Sequence, residues 1–90
     1  MLKRGDIVVH LDELGGYLQT FVVKSYIRSV VDGHLHRCNM AFGFNIYTGE
    51  RWRGGDWWCT RLATDDEREK FFNFLQEKSY RFNLNTLELL

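Results

Sequence analysis

The stretch Phe21-Val22-Val23-Lys24-Ser25-Tyr26-Ile27-Arg28-Ser29-Val30-Val31, then Asp32-Gly33, then His34-Leu35-His36-Arg37-Cys38-Asn39-Met40-Ala41-Phe42-Gly43-Phe44, decides how this chain folds. Both arms are rich in the β-branched and aromatic residues that suit a pleated, half-buried surface. Asp-Gly between two such arms signals a hairpin, because a two-residue type I′ turn needs positive φ at both central positions. Such a turn pairs Ile27 with Cys38, Ser25 with Met40, Val23 with Phe42 and Phe21 with Phe44. Side chains alternate along a strand. The register therefore predicts one buried face made of Phe21, Val23, Ile27, Cys38, Met40, Phe42 and Phe44. Lys24, Arg28, Arg37 and Asn39 fall on the opposite, solvated face.

Working outward, Gly5-Asp6 leads into Ile7-Val8-Val9-His10-Leu11, where three consecutive β-branched residues favour a strand, and Gly15-Gly16 marks the break before Tyr17. On the other side, Thr48-Gly49 predicts a second turn and Gly54-Gly55-Asp56 a third, leading into Trp57–Leu62. The result is a meander of about five strands. The pattern changes at Thr64. Thr64-Asp65-Asp66-Glu67 fits a capping box, and its carboxylates oppose the positive end of a helix dipole. Phe71, Phe72, Phe74 and Leu75 share an arc of roughly 160°, which predicts a core-facing stripe on a helix over residues 65–78. Tyr80–Phe82 and Thr86–Leu89 read as short strands. The expected fold class is α+β: one small domain spanning residues 1–90, mostly antiparallel β. It takes the form of a curved sheet or a small SH3-like barrel, with one C-terminal amphipathic helix over an opening or a face.

Ninety residues suffice for one domain that buries roughly 60–65% of its unfolded surface. Lys+Arg and Asp+Glu both number 12. That balance argues against a protein living on a phosphate backbone, where a basic footprint supplies most of the affinity, although it permits a local basic patch. Low net charge also permits a homo-oligomer. The N-terminal residues do not resemble a signal peptide, and no run approaches the ~20 apolar residues of a membrane span. Cys38 and Cys59 do not make a disulfide framework, so the expected setting is a reducing cytoplasm away from membranes.

Arg61-Leu62-Ala63-Thr64-Asp65-Asp66-Glu67, a helix carrying Phe71 and Leu75, and then Tyr80-Arg81-Phe82-Asn83 form a recognisable sequence. It resembles the C-terminal signature of small uncharacterised proteins of phages and mobile elements of gut bacteria. Gly5-Asp6-Ile7-Val8 is similar to their usual opening. The resemblance covers about a third of the chain. It implies an accessory protein and supplies no catalytic residues.

Three clusters carry chemical interest. His34, His36 and Cys38 alternate onto one strand face, and His/Cys sets suit zinc, with Cys59 or His10 as further ligands. The plain reading is that Cys38 fills the apolar hairpin face, while the histidines are solvated near its tip. Arg51, Trp52, Arg53, Trp57 and Trp58 flank a Gly-Gly turn and could stack on a base or anchor a protein partner. Their plain reading places Trp52 and Trp58 in the core. Cys59 near Arg61 invites a nucleophile reading, which would need a base and an orienting group in space. Gly15-Gly16 lacks a phosphate-loop context, and the acidic pairs read as loop and helix-start residues. These features predict a non-enzymatic binding module without a cofactor, a phage-type accessory or inhibitor protein acting through protein contacts. The first alternative is a single-stranded nucleic-acid-binding module using the 51–58 patch. The second is a small zinc- or Cys-dependent enzyme.

Overall fold

A computed structural model of the chain describes residues 2–12, 17–30, 35–83 and 85–89. The strands are β1 (Ile7–Asp12), β2 (Tyr17–Val30), β3 (Leu35–Asn45), β4 (Arg51–Cys59) and β5 (Arg61–Leu62). The helix α1 (Asp65–Glu77) follows, and β6 (Phe82–Asn83) and β7 (Glu88–Leu89) form a short ladder of their own. The first five strands make one antiparallel sheet in the order β4-β3-β2-β1-β5. This is the expected α+β class with one helix near the C-terminus, in its open, curved-sheet form. The turns assigned to Asp32-Gly33 and Gly15-Gly16 lie outside the described residues. No helix among the described residues is long and apolar enough to cross a membrane.

Beside the first of those turns, the β2–β3 register is the expected one: Val30 pairs with Leu35, Ser29 with His36 and Arg28 with Arg37. Deeper in the ladder it slips. Ile27 and Lys24 are extra residues on β2, and Ala41 is an extra residue on β3. The net displacement is one residue, which sends a side chain to the other face of the sheet. Val23 consequently joins Phe21, Cys38 and Met40, whereas Phe42 and Phe44 lie with Val22 on the opposite face. Ile27 is 45% exposed. The single buried hairpin face predicted from alternation is therefore wrong beyond Arg28. The uninterrupted apolar run Phe21-Val22-Val23 marks a strand buried on both sides.

These bulges curl the sheet. β4 ends at Cys59, paired with His36 of β3, and the next residue, Thr60, already donates its N–H to Val9 O of β1 at 2.9 Å. The two edges of the sheet thus meet at one residue without forming a closed ladder. Inside the curl lie Val8, Phe21, Val23, Cys38, Met40 and Cys59, with Leu2 packed against them. Gly43 lets the Phe21 ring lie across β3, since a Cβ there would come within 2.3 Å of that ring.

The turn assigned to Gly54-Gly55-Asp56 does not occur. β4 continues through these residues, paired with β3 on both sides of Gly54. The glycines serve close approach instead of reversal: a Cβ on Gly54 would sit 2.4 Å from the Ala41 carbonyl oxygen, where both strands kink together.

The outer face receives α1. Thr64 caps it as expected, its hydroxyl accepting the Glu67 N–H at 3.3 Å while the Glu67 carboxylate accepts the Thr64 N–H at 2.8 Å. Phe71 is fully buried, 5.6 Å from the Phe42 ring and 5.3 Å from the Phe44 ring, centroid to centroid. Leu75 and Leu87 complete this second core. Phe72, expected in the stripe, is 42% exposed and packs edge-on against Phe71. The contact is a narrow ridge, and a residue 100° round the helix from Phe71 escapes it.

Candidate binding surface

β4 does not present its arginines and tryptophans as one patch. The Arg51 guanidinium lies 5.5 Å over the Tyr80 ring, beside the helix-covered half of the sheet. Arg53 is exposed opposite Phe42. Trp52 packs against the inner core with its indole N–H enclosed and without a partner among the described residues. The Trp57 ring stacks 6.1 Å from Phe21 and meets Trp52 edge-on, while its N–H donates to Arg53 O at 3.1 Å. Trp58 alone turns to the other face.

That face is the part of the outer sheet surface lying beyond the kink, away from Phe71 and Leu75. Two cross-strand rows form it: Ser25, Asn39 and Asp56, then Arg28, Arg37 and Trp58. The guanidinium carbons of Arg28 and Arg37 stand 5.8 and 5.1 Å from the Trp58 ring centroid. Like charges placed directly opposite in an antiparallel pair destabilise it. A cation–π contact at an exposed site returns only about 0.5–1 kcal/mol. Among the described residues no carboxylate forms an ion pair with either arginine, the ion pair present being Arg61–Glu67. The nearest-row carboxylate, Asp56, accepts from Asn39 Nδ2 at 2.9 Å. Two guanidiniums that meet no carboxylate among the described residues are therefore held beside an indole on paired strands, an arrangement suited to an anion carrying planar rings.

The balanced net charge conceals a separation. α1 carries five acidic and two basic residues, whereas β2, β3 and β4 together carry five basic and one acidic. Arg28 and Arg37 read in the sequence as ordinary solvated residues. Their signal was the turn register itself, which sets them face to face.

The described part of the zinc set does not assemble. His34 lies outside the described residues, and no group of three or more His, Cys, Asp or Glu converges among the others. His36 is half-buried against Tyr26, not solvated, and its Nδ1 is enclosed. His10 Nδ1 is likewise enclosed without a partner among the described residues. Cys38 and Cys59 are both free and fully buried, and each thiol influences the ionisation of the other. Burial pushes the Cys59 thiol up to about 12, with neighbouring Cys38 adding to it, and burial also raises Cys38. A nucleophilic cysteine needs the opposite shift.

Arg61 and Glu67 explain the Arg-Leu-Ala-Thr-x-x-Glu spacing in structural terms. Arg61, on β5, donates to both Glu67 oxygens at 2.6 and 3.0 Å, and Glu67 also closes the helix cap. Chiefly through Arg61, and with help from the Thr64 N–H, the Glu67 carboxyl is held down at about 2 against the cost of its burial. The segment therefore ties the last strand of the sheet to the helix. The chain matches no known protein-family model, no curated protein and no solved structure.

Proposed function

We propose that this protein is a non-enzymatic binding module whose working surface is the Arg28–Arg37–Trp58 face, and that its partner is a single-stranded nucleic acid. The observation that carries this reading is the directly opposed arginine pair around one indole, without an ion-pairing carboxylate among the described residues. A protein partner, favoured from composition, would more often be met by an apolar anchor with charges at the rim. The argument from zero net charge against nucleic acid weakens once the acidic residues are seen concentrated on the helix. Bases can stack against Trp58 and its guanidiniums while phosphates take the free donors.

The test is a titration with a labelled single-stranded oligothymidylate at several salt concentrations, following anisotropy and Trp fluorescence. Binding should weaken as salt rises. Replacing both Arg28 and Arg37 by Ala should reduce the log–log salt slope by about 1.4, the value for two phosphate contacts on a single strand. Absence of binding, or equally effective competition by a polyglutamate peptide, would refute nucleic acid as the partner.

A further inference from the structure

Next to this face, at the kink, the outer surface opens into a cleft of about 370 Å³. Its origin is local. It lies where the bulged residues Lys24 and Ala41 meet the side-chain-free glycines at 54 and 55. Phe42 and Leu87, both buried, lie at its floor, and Lys24, Asn39 and Thr86 supply the polar groups. Gly55, at φ +146°, carries no side chain into the cleft, and a Cβ there would meet the Trp57 indole at 3.7 Å. Among the described residues no carboxylate lines the cleft, and the charged group there is the Lys24 ammonium.

We infer that this cleft is a second subsite, which receives the nucleotide adjacent to the one stacked at Trp58. The inference rests on the nucleic-acid reading above. Three features carry it. Asn39 belongs both to the cleft wall and to the cross-strand row next to Arg37 and Trp58, so cleft and stacking face are continuous. Asn39 and Arg37 are two residues apart on one strand and so share a face, separated by about 7 Å along β3, a step that one nucleotide can span. The volume falls in the range of small-ligand sites, roughly 300–1,000 Å³. A base can lie over the Gly54-Gly55 backbone, with Asn39 and Thr86 facing its polar edge and the phosphate at Lys24. The partner is thus read as two consecutive nucleotides: one held by stacking and guanidinium contacts, the next by enclosure.

Calorimetric titration with mono-, di- and trithymidylate tests this on the intact chain. In the native protein the step from mono- to dinucleotide should raise affinity roughly tenfold, the scale of one further hydrogen-bonded contact to a charged group. Thr86→Phe, at an exposed position on the rim, should fill the cleft and abolish that step while leaving mononucleotide affinity unchanged. Lys24→Gln should shrink the step without filling the cleft, which guards against misfolding of the first variant. A step of the same size in both variants overturns the cleft assignment and leaves the Trp58 face standing. Failure of the native protein to bind any of the three ligands or the longer oligothymidylate overturns the Trp58 reading itself, and the subsite with it.

Discussion

Glu67 accepts two hydrogen bonds from Arg61 and one from the Thr64 N–H, so three of its interactions require the ionised form. Its folded value of about 2 lies below the ordinary 4.5, which makes the folded state bind fewer protons than the unfolded one. The stabilisation is therefore complete above about pH 4.5 and is lost as pH falls from there toward 2. A depression of that size corresponds to about 3 kcal/mol. Screening at Arg61, whose side chain is 48% exposed, brings it nearer about 1–2 kcal/mol. Glu67→Gln should lower stability by that amount at pH 7 and flatten the acid limb of the profile, measured by denaturant unfolding between pH 2 and 7. An unchanged acid limb would show that Arg61 and Glu67 do not hold the helix to β5.

Within α1, two neighbouring phenylalanines have different fates. Phe71 is fully buried between the Phe42 and Phe44 rings, whereas Phe72 stays 42% exposed beneath the Arg68 guanidinium. Phe71→Ala should cost about 3–5 kcal/mol through lost burial and a residual cavity. Phe72→Ala should cost no more than about 1 kcal/mol, as changes of exposed residues do. Thermal unfolding of the two variants compares them directly. Equal losses would mean that the helix contacts the sheet through a broader face than the structure shows. The helix boundaries, cap and polar side were all legible, because capping and amphipathic period depend on residues close in sequence. The inclusion of Phe72 failed because the width of the contact depends on the sheet opposite.

The whole molecule uses both faces of one curled sheet, with a core inside the curl and a second core under the helix. The inner core holds both thiols fully buried, and burial raises both, Cys59 to about 12. Only the thiolate reacts appreciably. At pH 8 Cys38 and Cys59 should therefore resist a thiol reagent and become labelled together, at a rate that rises with denaturant as the molecule opens globally. Mass spectrometry of alkylated protein reads this. Rapid labelling of one cysteine in native buffer would mean that the curl opens locally.

The sequence alone determined the α+β class, the hairpin pairing nearest Asp32-Gly33, the Thr48-Gly49 turn and the capped helix, since each rests on contacts between near neighbours. It also supplied the tryptophans and arginines from which a binding reading starts. Only the tertiary structure decided which of them meet. Bulges at Ile27, Lys24 and Ala41 exchange faces through one-residue slips that no local pattern announces. They send Val23 inward and Phe42 outward, and leave Trp52 and Trp57 on the inner side. Arg28 and Arg37, read as mere solvated residues, are set face to face by the hairpin register, and Trp58 joins them only because β4 pairs with β3 so as to extend the same cross-strand row. A surface made by pairing is invisible until the pairing is known.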